Sequence, residues 1–167
     1  TKTAIAGNYS SGAGNDSYVF QTGSQGSYTI NAGNGDNKLT IDDDSNAAIN
    51  IATGDGDDQF VIGKAQSTSF NINAGDGNNS AQAKQAITNF NSGSGNDQLK
   101  LISVLGNISL GGGSNTIELT GFLGNQSARL VDGGRRWDRG GRELKTGAGN
   151  DIIKLSGGSR INNDIAN

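Results

Sequence analysis

The sequence predicts an all-β fold, a right-handed parallel β-solenoid (a β-roll or β-helix) of about eight coils with two short strands in each. Three observations predict it. A glycine frame recurs at a regular period, each frame stands between two short runs in which apolar and polar residues alternate, and the 167 residues include 28 Gly and no Pro, Cys, Met or His. A period of this length marks a stack of repeated units, because each unit buries its apolar face only against its neighbours.

The frame is a small residue, Gly, any residue, then Gly. It opens "SGAGNDSYVF" at 11, "AGNGDNKLTI" at 32, "TGDGDDQFVI" at 53, "AGDGNNSAQA" at 74, "SGSGNDQLKL" at 92, "LGGGSNTIEL" at 110 and "TGAGNDIIKL" at 146. The first glycines are Gly12, Gly33, Gly54, Gly75, Gly93, Gly111 and Gly147, so the steps are 21, 21, 21, 18, 18 and 36. Because the last step equals two of 18, a degenerate copy is expected within 129–146.

Each element follows in order. Before the frame, Tyr28/Ile30, Ile49/Ile51 and Phe70/Ile72 alternate with polar residues, and "TNFNSG" and "NISLGG" keep the pattern in shorter form. After it, Tyr18/Phe20, Leu39/Ile41, Phe60/Ile62, Leu99/Leu101, Ile117/Leu119 and Ile153/Leu155 do the same. Successive side chains of a strand point to opposite faces, so these pairs face inward while Thr, Lys, Gln and Asn face out. "ARLVDG" (Ala128 and Leu130 inward) and "RELKTG" (Leu144 inward) read as two more such strands, and the terminal "SGGSRINNDIAN" as an unfinished coil. Each coil is thus strand, glycine corner, strand, variable corner. The deletions from 21 to 18 fall in the variable corner, which is therefore expected to be wider in coils 1 to 3 than in coils 4 and 5.

Ile, Leu, Val and Phe number 34 of 167, near the roughly 20% below which a chain struggles to offset its ordering entropy. A thin core, or a ligand that assists folding, is implied. The formal net charge is −3, but residues 1–100 hold ten Asp against five Lys, while 101–167 hold six acids against eight bases. Without Cys or His, disulfides, thiol catalysis and histidine metal sites are excluded. There is no run of 18 apolar residues, no signal peptide and no initiating Met, so the whole is expected to be one repeat domain, 1–167, cut from a longer chain.

"SGAGNDSYV" and "TGAGNDIIK" resemble the nonapeptide GGxGxDxUx repeat of RTX proteins, a family of secreted bacterial toxins, proteases, lipases and adhesins. The resemblance implies a calcium-binding β-roll: glycines permit positive φ at a sharp corner and bare its carbonyls, the Asp adds a carboxylate, and stacked corners supply the six to eight oxygens Ca²⁺ takes. The family's Asp position falls on Asp16, Asn37, Asp58, Asn79, Asp97, Asn115 and Asp151, and the expected metal residues are Asp16, Asp36, Asn37, Asp57, Asp58, Asn79, Asp97 and Asp151. The best-endowed corners join Asp36 to Asp57 and Asp58, then Asp16 to Asp36; 111–115 has no acid. Two departures weaken the expected affinity: one such corner per coil, and an Asp that alternates with Asn, lowering ligand charge. The alternative at the same residues is a metal-free stack in which Asn and Asp form hydrogen-bonded ladders. "DDDSN", Asp42 to Asn46, is a second cation candidate, or else a solvated acidic turn.

Residues 131–143 are an irregular Arg-rich loop within the solenoid. Arg135, Arg136, Trp137, Arg139 and Arg142 suit an anionic partner such as an acidic polysaccharide or cell-surface glycan, since guanidinium forks match carboxylate and phosphate and Trp adds stacking; the plainer reading is ion pairing with Asp132, Asp138 and Glu143, or contact with a flanking domain. No nucleic-acid motif is present. The function expected from sequence is a non-catalytic, weakly calcium-binding module of a protein secreted by or displayed on a bacterium, as toxin, adhesin or exported enzyme. The alternatives are a metal-free rod of an adhesin, passenger or effector, and a polysaccharide lyase or epimerase working through Asp, Lys and Arg along a groove.

Overall fold

A computed structural model describes residues 7–21, 27–42, 48–63, 69–121, 128–132 and 142–156. Among them every regular element is a strand, and all pairings are parallel. No helix there is long and apolar enough to cross a membrane. The strands are β1 (Gly7–Ser10), β2 (Ser17–Gln21), β3 (Ser27–Gly33), β4 (Lys38–Asp42), β5 (Ala48–Thr53), β6 (Gln59–Ile62), β7 (Ser69–Asn73), β8 (Ser80–Ile87), β9 (Asn89–Asn91), β10 (Gln98–Val104), β11 (Ile108–Ser109), β12 (Thr116–Leu119), β13 (Ala128–Asp132), β14 (Arg142–Gly147) and β15 (Ile152–Leu155).

They form two sheets, one of eight strands in the order β1-β3-β5-β7-β9-β11-β14-β13 and one of seven in the order β15-β12-β10-β8-β6-β4-β2. A coil crosses from the first sheet to the second through its glycine corner, which places the seven corners in one column along a single edge of the rod. At about 4.8 Å per step, that column is on the order of 30 Å long.

Register carries the apolar pattern inward along two columns, the shifts in pairing falling toward strand ends, after Asn31, Leu101 and Val131. In the first sheet Ile30, Ile51, Ile72, Phe90, Ile108 and Leu144 stand in one column; in the second, Leu39, Phe60, Ala81, Leu99 and Ile117 stand in another. These side chains are buried between the sheets. Ala81 and Ala83 make coil 4 thin on one side, and the rings of Phe60 and Phe90, from the coils on either side of it, meet edge to face with centroids 6.0 Å apart. At the first coil, Tyr9, Phe20 and Tyr28 form an aromatic cluster with centroids 5.3 to 6.5 Å apart. Full burial of side chains this size contributes roughly 1.5–3 kcal/mol each.

The narrow variable corners are short, as expected: Thr88 alone joins β8 to β9, and residues 105–107 join β10 to β11. The corners of coils 1 to 3, expected to be wider, fall on 22–26, 43–47 and 64–68, outside the described residues.

The order of the last strands corrects the placement of the degenerate copy. β11 pairs directly with β14 and β12 directly with β15, so no coil lies between the frames at Gly111 and Gly147. β13 forms, as "ARLVDG" suggests, but on the far side of β14. The physical reason lies in "GGRRWDRGG": it offers neither an Asp or Asn at the corner position nor an apolar strand for the second sheet, whereas 147–155 offers both.

The second glycine of every frame has positive φ, from 115° to 148°. At Gly56, with φ 145°, an added Cβ would overlap the carbonyl oxygen of Gly35 in the coil before it, whereas at Gly12 it would meet nothing within 4 Å. Gly56→Ala is expected to cost about 1–3 kcal/mol and Gly12→Ala less than about 0.5 kcal/mol, compared by thermal melting of the two variants.

Candidate functional site

The glycine corner is the only feature the sequence repeats almost without change, and it is built around the Asp or Asn that closes it. That side chain sits four and two residues after the two glycines, at the point where the chain enters the second sheet. Each neighbouring coil presents the same turn, so its exposed N–H and C=O groups meet identical groups above and below. Buried groups of this kind must be paired.

Three sets of side chains pair them. In the inner row the carboxylate or amide oxygen of one coil accepts the backbone N–H of the preceding coil. Asp16 N–H reaches Asn37 Oδ1 at 3.1 Å, Asn37 reaches Asp58 at 2.8 Å, Asp58 reaches Asn79 at 3.1 Å, Asn79 reaches Asp97 at 2.9 Å, Asp97 reaches Asn115 at 2.9 Å and Asn115 reaches Asp151 at 2.9 Å. The outer row runs in the opposite sense, with the following coil's N–H donating back: Asp36 to Asn15 at 2.9 Å, Asp57 to Asp36 at 2.9 Å, Asn78 to Asp57 at 2.7 Å, Asn96 to Asn78 at 2.9 Å and Ser114 to Asn96 at 2.7 Å. A third, shorter row adds Asp55 N–H to Asn34 Oδ1 at 3.1 Å and Ser94 N–H to Asp76 Oδ1 at 2.6 Å.

The rows differ in solvent. Asn37, Asp58, Asn79, Asp97 and Asn115 are buried to 1% exposure or less, while Asp36, Asp57 and Asn78 face water. The residues expected to share a metal are therefore split. Asp16, Asn37, Asp58, Asn79, Asp97 and Asp151 are brought into one inward column; Asp36 and Asp57 stand in a separate, outward column.

A calcium ion bridging neighbouring corners requires oxygens turned toward a common point. In the Asn coils the amide nitrogen takes that direction: Asn37 Nδ2 donates to the carbonyls of Gly33 at 3.1 Å and Gly35 at 2.7 Å, Asn79 Nδ2 to those of Gly75 at 3.4 Å and Gly77 at 3.1 Å, and Asn115 Nδ2 to that of Thr146 at 2.8 Å. An N–H donor aimed at the turn carbonyls does not fit a cation there. The outer acids spend an oxygen on the neighbouring backbone, and among the described residues no group of three or more acids is gathered closely enough to hold a metal ion. In the Asp coils, by contrast, the second oxygens of Asp16, Asp58 and Asp151 are buried without a hydrogen-bond donor.

Burial pushes the Asp58 carboxyl above its ordinary value and the charge of Asp36 acts in the same direction, opposed by the nearby Thr53 hydroxyl dipole and the Asn37 N–H. Sequence reasoning overlooked this hydroxyl position. The residue five before the inner-row Asp is Thr53 in coil 3 and Ser92 in coil 5; Ser92 Oγ donates to Asp97 Oδ2 at 2.6 Å, while Thr53 Oγ1 donates to the Ala74 carbonyl at 3.0 Å.

Of the other candidates, Asp42 ends β4 at the surface while 43–46 lie outside the described residues. Arg135, Arg136, Trp137 and Arg139 also lie outside them, and Arg142 begins β14.

Two outcomes follow from this geometry. Asn79→Ala strips a buried acceptor from Asp58 N–H and is expected to cost about 1–3 kcal/mol, more than Asn78→Ala, whose partners water replaces; denaturant melts of both variants measure the difference. Because the folded state holds a proton on Asp58 more tightly than the unfolded state, its contribution is present at low pH and lost as pH rises through the raised value. The rise in melting temperature between pH 7 and about 4 is thus expected to be larger for the parent than for Asp58→Asn.

No family model matches the chain, and it has no match among curated proteins or solved structures.

Proposed function

We propose that this chain is a non-catalytic β-solenoid scaffold, a rod that holds its polar faces in a fixed array for a larger protein exported from or displayed on a bacterial cell. The observation that carries the reading is the unbroken inner ladder from Asp16 to Asp151, in which each corner's backbone N–H is met by an Asp or Asn oxygen of the next coil. The carboxylates a catalyst would need are held by backbone N–H groups along this column, which favours a structural role over a lyase or epimerase.

The outer faces supply what such a rod would present. On the first sheet Asn50, Asn71 and Asn89 form an amide ladder with steps of 2.9 and 2.8 Å. On the second, a shallow depression of about 290 Å³ is lined by Gln59, Gln82, Gln98, Lys100 and Glu118 around the apolar Val61. Amides and one ion pair at 3.9 Å suit a hydroxyl-rich partner such as a cell-surface glycan.

A calcium-binding module is the second reading, favoured by the donorless oxygens of Asp16, Asp58 and Asp151. A cation there would add folding free energy by binding the native state alone. Circular dichroism with thermal melting, in excess chelator and then across a calcium titration, separates the two. The scaffold reading expects a strand spectrum in chelator and a melting temperature unmoved by calcium; a spectrum that gains strand signal only with calcium would replace it with the second reading.

A further inference from the structure

Five residues before the inner-row position, the chain carries Ser11, Ala32, Thr53, Ala74, Ser92, Leu110 and Thr146; at the position itself it carries Asp16, Asn37, Asp58, Asn79, Asp97, Asn115 and Asp151. Every Asp has a hydroxyl five residues earlier, and every Asn has an apolar side chain. The two kinds of coil alternate along the stack without exception, even across the change of period from 21 to 18 and across the 36-residue step.

The hydrogen bonds give this pairing a chemical reason. An amide brings its own donors: with Oδ1 engaged by the preceding coil, Nδ2 satisfies the carbonyls of its turn, and the position five before needs only to fill space, as Ala32, Ala74 and Leu110 do at 3% exposure or less. An ionised carboxylate has no donor. Its Oδ1 is engaged in the same way, so its Oδ2 takes the place of that amide nitrogen and requires a hydrogen from elsewhere. Ser92 provides one to Asp97 at 2.6 Å. The hydroxyl of Thr53, which lies beside the Asp58 carboxyl, points instead to the carbonyl of Ala74 at 3.0 Å, and that of Ser11 to the carbonyl of Ala32 at 2.8 Å. The hydroxyl thus takes one of two acceptors, its own coil's carboxylate in coil 5 or the next coil's carbonyl in coils 1 and 3, where the Oδ2 atoms of Asp16 and Asp58 are left without a donor. Alternation adds a second benefit: no two buried carboxylates are neighbours in the column, where like charges would repel.

We propose that the structural unit is a pair of coils, a hydroxyl–Asp coil stacked on an apolar–Asn coil, and that this pairing takes the place of a bound cation in closing the corner. The inference rests on the scaffold reading. It assigns Ser11, Thr53, Ser92 and Thr146 as positioning residues for the inner carboxylates, and it makes the Asn coils plugs whose amide hydrogens occupy the turn carbonyls.

The test is a double-mutant cycle on the full chain in chelator, with thermal melting of the parent, Thr53→Val, Asp58→Asn and the double variant. Valine keeps the shape of threonine and removes only the hydroxyl. Thr53→Val is expected to lower the melting temperature by about 2–4 °C beside Asp58 and by less than about 1 °C in the Asp58→Asn background. Ser92→Ala with Asp97→Asn repeats the cycle at an independent coil, so a single variant that fails to fold leaves the other cycle to decide. Equal falls in both backgrounds would overturn the pairing while leaving the scaffold reading intact. A parent chain that is unfolded in chelator, or whose melt rises with calcium only while Asp58 is present, would overturn the replacement of the cation and the scaffold reading with it.

Discussion

A solenoid corner is a turn whose backbone is covered on both sides by copies of itself. Outside regular pairing its N–H and C=O groups lose water and gain only identical neighbours, and a buried peptide group left unpaired costs about 1–3 kcal/mol. With seven corners in the column, that penalty would be comparable to the whole stability of an ordinary domain. The rest of the rod depends on meeting it. Between coils 2 and 3 alone, Asn37 N–H to Asp58, Asp57 N–H to Asp36, Asp55 N–H to Asn34, Gly35 N–H to the Asp55 carbonyl and Gly54 N–H to the Gly33 carbonyl close the corner within 2.8 to 3.1 Å. Because inner and outer rows donate in opposite directions, adjacent coils are clamped in both senses, which fixes the register of the strands that follow.

Fixed register is what lets a thin core suffice. A slip of one residue would turn every inward side chain outward, so the columns headed by Ile30 and Leu39 persist only while the corners hold phase. The change from 21 to 18 residues per coil leaves the ladder distances unaltered, since residues are lost opposite the corner, at Thr88 and at 105–107. The same logic explains the detour before Gly147: a stretch without a corner Asx or a second-sheet strand is left out of the column, and the ladder passes directly from Asn115 to Asp151 at 2.9 Å.

The corner also shows how a resemblance in sequence leaves chemistry open. "GAGND" supplies the glycines and the acid of a calcium-binding repeat, yet the alternating Asn places N–H groups where a bridging cation would require oxygen. Charge on the exposed outer and third rows, at Asp36 and Asp57 and at Asp55 and Asp76, stays in water, where mutual repulsion is screened.

The sequence by itself determined the architecture: the period of the glycine frame gave the coils, the two-residue alternation gave the strands and their inward faces, and both are local consequences of backbone sterics and side-chain direction. It also marked the corner as special and the Asp/Asn alternation as part of it. What only the tertiary structure decided was which groups meet. That Asp36 and Asp57 face water while Asp58 is buried, that Asn37 gives its oxygen to the coil before it and its nitrogen to its own turn, that Ser92 reaches Asp97, and that β13 lies beyond β14 all depend on how the coils stack. A side chain's type limits the bonds it can make, but the partner is chosen by the coil stacked against it.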